Sequence, residues 1–166
     1  MTPVIEAPDQ TIDPRLGTNE EHRRRLLRVW TQPGGLVGWL SLTTHTGIGM
    51  RYIVTAFLFL LAAGVEALLM RTQLAHANNT FLSPDKYNQL FTTHGTTMMF
   101  LFAVPMMEGM GIYLVPLMLG TRNVSFPRLN AFGYYLYLFG GLLLYAGLFT
   151  NTGPDVGWFA YPPLSG

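Results

Sequence analysis

The 166-residue chain contains no cysteine. Disulfides, zinc–thiolate sites and iron–sulfur clusters are therefore excluded, and the redox compartment leaves no mark in the sequence. Charge is scarce too. Asp, Glu, Lys and Arg make up 11% of the residues, against roughly 25% in an ordinary soluble domain. What charge there is sits unevenly: eleven of nineteen such residues fall within the first 51 positions and eight are spread over the other 115. A net charge of +1 built this way makes no basic surface, so nothing calls for a nucleic-acid partner. No internal repeat or low-complexity tract is evident. The chain reads as a polar tail, residues 1–45, followed by an apolar body, residues 46–166. The first long apolar run begins near residue 52, too far in for a cleaved signal peptide, so the tail is expected to be retained.

What is present in abundance is long apolar sequence. Tyr52 to Met70 is nineteen residues with one charge, Glu66, and Arg51 and Arg71 bracket it. At about 1.5 Å per residue it just covers a hydrocarbon layer of roughly 30 Å. A second run extends from about Leu90 to Leu119 with Glu108 as its only charge. It is longer than a straight crossing needs, so a tilt or a kink at Pro105 or Pro116 is expected. A third run, about Ala131 to Thr150, has no charge and an aromatic start in Tyr134, Tyr135, Tyr137 and Phe139. Tyrosines there suit a membrane interface, and Gly140-Gly141 would permit a close helix contact. The sequence thus predicts an all-α membrane protein with three transmembrane helices.

Lys and Arg set the expected orientation. Arg15, Arg23, Arg24, Arg25, Arg28 and Arg51 precede the first run, and Arg122 and Arg128 fall in the loop on the same side. Only Arg71 and Lys86 lie on the other. The positive-inside rule places the N-terminus in the cytoplasm, for a multi-pass protein of the cell's inner (plasma) membrane. Residues 1–20 are expected to be unstructured or draped on a partner. Glu20 to Trp30 has the pattern of a basic amphipathic helix at the inner membrane face, and equally of a plain topology anchor.

Ionisable residues inside a span are expensive and therefore informative. There are three here: Glu66, His94 and Glu108. His94 sits one turn into the second run, and Gly95 beside it would let a flat macrocycle approach the backbone. An imidazole in lipid needs a partner on each nitrogen, and a haem iron is one way to supply it. A helix–helix hydrogen bond is the other and commoner way. Arg71 ends the first span on the same side and so is expected at a depth near His94, where it would pair with a haem propionate or simply snorkel to the surface. Glu108 comes fourteen residues after His94. At 100° per residue that is nearly the same face, about 21 Å further in. Both glutamates fit a proton path or an interhelical contact.

The string Phe91-Thr92-Thr93-His94-Gly95-Thr96-Thr97-Met98-Met99-Phe100-Leu101-Phe102-Ala103-Val104-Pro105 resembles the second transmembrane helix of subunit I of the haem–copper respiratory oxidases. So do Tyr113-Leu114-Val115-Pro116-Leu117, Gly120 and Phe126-Pro127-Arg128-Leu129-Asn130. The ending, Gly157-Trp158-Phe159-Ala160-Tyr161-Pro162-Pro163-Leu164-Ser165-Gly166, resembles the segment leading into that family's fourth helix. The resemblance runs from about Trp39 to Gly166, with its motifs in family order. It implies the first part of a twelve-helix bundle that reduces O2 to water. It implies that His94 is one of two axial ligands of a low-spin haem, haem a being favoured, with Arg71 and Trp158 as further haem contacts. The second ligand, the high-spin haem and the copper would be bound by regions beyond residue 166. The implied partners are the rest of subunit I, the other oxidase subunits, membrane lipid, and cytochrome c or quinol as electron donor. A fragment this short is not expected to be active alone.

Three departures stand out. The family's proton channel opens with an acid three residues before Phe-Pro-Arg, and here that residue is Asn123. A channel asparagine is replaced by Ile112, while Asn130 matches another. Asparagine carries no charge and isoleucine forms no hydrogen bond, so these two positions do not support the usual proton uptake. The third departure is length. Two rival readings remain open: a bo-type quinol oxidase, for which Glu66 and Gln89 match quinone-contacting positions while Ala62 and Lys86 do not, and a non-enzymatic three-helix membrane scaffold.

Overall fold

In the computed structural model of the protein, residues 19–30 and 35–163 are described. All their regular structure is helical. The chain forms two units, residues 1–41 and 42–166. In the first lie α1 (Asn19–Trp30) and α2 (Gly35–Leu40). The α1 helix covers the stretch expected to be helical. Glu20 and Glu21 occupy its first turn, where the helix dipole favours carboxylates. Arg23 reaches Glu20 at 4.0 Å with both side chains exposed, a pairing that contributes little. Asn19 and Glu20, expected to be unstructured, begin this helix; the expectation for residues 1–18 falls outside the described residues.

The second unit contains α3 (His45–Gln73), α4 (Pro84–Thr96), a π-helical segment (Thr97–Ala103), α5 (Val104–Leu119) and α6 (Pro127–Phe149). From α4 to α5 the helix is continuous, so there are three spans of 29, 36 and 23 residues. Each exceeds the roughly 20 residues a bilayer crossing needs. The helices run past the apolar sequence because local chemistry caps them. Ser83 Oγ accepts from the Lys86 N–H at 3.3 Å and Pro84 starts the first turn, a combination that satisfies an orphan donor and fixes φ. In the most apolar 18 residues of each span, only 33%, 17% and 17% are buried within the chain. Their outer faces carry Phe57, Leu61, Leu68, Met107, Met118 and Leu143, all exposed. An apolar surface this continuous needs lipid or further helices against it.

The long second span changes helix type near Pro105 for a reason that proline alone does not convey. Pro105 has no N–H, so the carbonyl four residues earlier, on Leu101, loses its usual donor. The chain answers twice. It widens into the π-helical segment, where the N–H of Val104 bonds back to the Met99 carbonyl. And the Tyr137 hydroxyl, from α6, donates to the Leu101 carbonyl at 2.7 Å. In hydrocarbon an unpaired carbonyl has no water to turn to. Tyr137→Phe should therefore destabilise the bundle by about 1–3 kcal/mol. The check is thermal unfolding of the native complex carrying this chain; an unchanged midpoint would contradict it.

The tyrosines of α6 are packed between helices. Tyr134 is 4% exposed, and Tyr135 and Tyr137 are packed with it against Ile48 and Tyr52. They are core residues whose hydroxyls find partners inside, as buried phenols usually do. Tyr134 shares a 3.0 Å hydrogen bond with Thr55. Of the glycine pair, Gly141 faces the Phe59 ring, at 2.4 Å from where a methyl would stand, while Gly140 faces open space.

Candidate functional site

His94 is half-buried on α4. Its Nδ1 lies 3.0 Å from the carbonyl of Ala63 on α3. A carbonyl can only accept, so Nδ1 carries the proton. No group among the described residues engages Nε2, which is thus left open. This is the tautomer and orientation that a metal-ligating histidine takes when a second group fixes it. The residues present therefore fit one axial position of a haem iron. They do not form a complete metal site: no group of three or more potential ligands occurs among the described residues.

The end of the chain is brought to this histidine. Gly157 has a φ of +80°, which disfavours any side chain. Its N–H donates to Thr92 Oγ at 2.9 Å, and that hydroxyl donates in turn to the Asn88 carbonyl at 2.8 Å. The turn delivers Trp158 onto Gly95, where a methyl would stand 2.8 Å from the indole. Trp158 also meets Phe100 edge-on at 6.2 Å. The space over Gly95 is thus filled by indole, and the expected approach of a macrocycle to that glycine is corrected. Trp158 itself borders the helix that carries His94.

Arg71 is exposed in the last turn of α3. The shared-depth expectation needs correcting, because His94 is held at Ala63, eight residues or about 12 Å of helix earlier. Reading the spans by position could not show this, since a side chain's depth depends on which carbonyl it meets. Glu66, one turn beyond Ala63, is 3% exposed, and neither carboxyl oxygen has a hydrogen-bond partner. The Tyr145 hydroxyl lies beside it and accepts from Thr97 Oγ at 3.3 Å. No pattern in the sequence pointed to Tyr145 or Thr97 at this place.

On the His94 end of the bundle, Lys86 Nζ donates to the Leu148 carbonyl and, at 2.8 Å, to Asn151 Oδ1. Gln89 Nε2 donates to the Asn151 carbonyl at 3.3 Å. Both side chains fasten the end of α6 to α4, and Gln89 Oε1 remains buried without a partner.

At the opposite end, Glu108 lies beside the Tyr52 hydroxyl. His94 and Glu108 thus meet α3 at residues 63 and 52. Eleven residues of α-helix put these two meeting points about 16 Å apart along α3. Ile112 packs in the Tyr52–Tyr134 cluster. Asn130 is half-buried with its Nδ2 unpartnered. Asn123 ties its loop to the start of the bundle. Its Nδ2 donates to the Thr43 carbonyl at 2.9 Å and its Oδ1 accepts from the Val124 N–H. Asn123→Asp, which restores the acid, removes the only side-chain donor in that pair of bonds. The loss should be about 1 kcal/mol, read as faster amide exchange over residues 121–126; exchange slower than wild type would contradict it.

The family model described as Cytochrome C and Quinol oxidase polypeptide I matches residues 47–166. The chain is 48% identical over 136 residues to a probable cytochrome c oxidase subunit 1-alpha of Streptomyces avermitilis, covering 81% of this chain and 24% of that protein. It is 45% identical over 133 residues to cytochrome c oxidase subunit 1 of Bacillus subtilis, covering 79% and 21%. It is 48% identical over 128 residues to a heme-copper oxidase subunit I+III of Aeropyrum pernix, covering 76% and 16%. The chain thus spans a quarter or less of the length of these relatives.

Proposed function

Because the chain belongs to the cytochrome c and quinol oxidase polypeptide I family, we infer that it is the first part of the catalytic subunit of a terminal respiratory oxidase, with His94 as one axial ligand of the low-spin haem. The single observation that carries this is the Nδ1 contact to the Ala63 carbonyl, which leaves Nε2 for iron. The haem, when bound, supplies one-electron chemistry and passes electrons towards the oxygen-reducing centre. This chain's own work is to hold and orient. The Ala63 carbonyl fixes the imidazole, Trp158 closes one side of the His94 helix, and Arg71 brings a cation to the same end of the bundle. The second axial ligand, the high-spin haem and the copper belong to the remainder of subunit I. The arginine-rich N-terminal side faces the cytoplasm.

Cytochrome c is favoured over quinol as donor. Of the two positions that match a quinone site, Gln89 has its Nε2 engaged by the Asn151 carbonyl. Glu66 is buried rather than open to a ligand. The test is oxygen consumption by the purified native complex with reduced cytochrome c and with a quinol. Faster turnover on cytochrome c is expected; turnover on quinol alone would favour the bo-type reading.

A further inference from the structure

The end of the bundle away from His94 carries a second set of ionisable groups. Its geometry begins with two glycines. A methyl at Gly109 would stand 2.7 Å from Tyr52 Cβ and 3.0 Å from the Gly49 carbonyl, and one at Gly49 would stand 2.8 Å from the Gly109 carbonyl. Small residues here let α3 and α5 touch backbone to backbone. That contact sets residue 108 beside residue 52, with the Tyr52 hydroxyl against the Glu108 carboxyl. Tyr52 is 2% exposed. Its ring stacks on Tyr137 and meets Tyr134 edge-on, each with centroids 5.3 Å apart. The Tyr134 hydroxyl pairs with Thr55. One carboxyl and several hydroxyls from three helices therefore form a single polar layer within apolar spans.

The same layer has polar groups leading to it from the end where α3 and α6 begin. His45 is two turns before Tyr52, on the same face of α3. It is 8% exposed, and both its ring nitrogens lack a partner. Asn130, in the first turn of α6, holds another unpartnered buried donor. Unsatisfied buried polar atoms are rare enough to need a reason. The other titratable groups bordering the layer are Arg51, which bonds Tyr135 at 3.3 Å and lies 5.8 Å over the Tyr134 ring, and Tyr113, whose Cβ abuts Gly49. Glu108 itself lies on the outer surface of the three helices.

The geometry points to Glu108 as a proton-carrying group whose charged form is received by the Tyr52 hydroxyl, doing on this chain what Asn123 and Ile112 cannot. A carboxyl at this depth is costly to ionise without a donor. Tyr52 is that donor, and its own position is fixed by the glycine contact. The carboxylate takes one proton and releases one; no other reactant is needed. That the proton serves oxygen reduction depends on the oxidase reading above. That Glu108 binds and releases it does not.

The experiment uses the native complex carrying this chain, with Glu108→Gln, Glu108→Asp and Tyr52→Phe. Infrared difference spectra across a pH step should show a carboxylic C=O band that moves in D2O. The band should vanish in Glu108→Gln and shift in Tyr52→Phe and Glu108→Asp. In vesicles, proton uptake from the inner face should slow by about 100-fold in Glu108→Gln and recover in Glu108→Asp, with the low-spin haem spectrum unaltered in both. A band and an uptake rate unchanged by Glu108→Gln in a complex that retains its haem would overturn the proposal. A complex without haem would defeat the oxidase reading, and the infrared band would still decide the proton site.

Discussion

Gly109→Val should leave little assembled protein. The substituted residue would place carbon 2.7 Å from Tyr52 Cβ and 3.0 Å from the Gly49 carbonyl. One neighbour is the root of a side chain and the other is backbone, so neither can swing aside. Overpacking of a well-filled contact costs about 1–3 kcal/mol, and two immobile neighbours put this case at about 3 kcal/mol. The α3–α5 contact is also the most extensive between helices of the bundle, so its loss spreads. The expected result is a sharp fall in purified complex and in thermal midpoint. Gly64→Val is the comparison within these three helices, because none of them lies within 4 Å of a methyl there. Equal yields for the two variants would show that the glycine contact does not hold α3 to α5.

Glu66→Leu should do the reverse and stabilise. Glu66 is buried by this chain's own helices, with only the Tyr145 hydroxyl beside it. A buried polar group without partners costs about 1–3 kcal/mol, which an apolar side chain of similar size recovers. Leucine keeps the volume and the helix propensity. The expected result is a higher midpoint for the complex. A lower one would mean that Glu66 has a strong partner, Tyr145 being the nearest at hand. The retention of such a group is the usual mark of stability given up for function.

Some of this was legible in the sequence, and the reasons differ by residue. The three spans were readable because a bilayer dictates length and excludes charge, and both are counted directly along the chain. His94, Glu66 and Glu108 stood out for the same reason. What they touch was hidden. The acceptor for His94 is a backbone carbonyl on Ala63, and a carbonyl has no residue type to betray it. The tyrosines of α6 carry a hydroxyl and a ring in equal measure, so composition suits an interface as well as a core; only the face turned towards α3 decides. Pro105 announced a missing donor, but not that a π-helical segment and a tyrosine from another span would resolve it. The Asn123–Thr43 bond joins residues eighty apart in sequence, beyond the reach of any local pattern. The resemblance marked Asn123 and Ile112 as departures, while the polar layer around Tyr52 emerges only once three helices are packed together.

Whether His94 binds haem iron through Nε2 is tested most directly by reduced-minus-oxidised spectra of the native complex with His94 and with His94→Ala. The wild type should show a low-spin haem, and the variant should lose that component while the high-spin signal remains. Haem bands unchanged by the substitution would contradict the assignment, and a native complex with no haem would leave only a three-helix membrane scaffold.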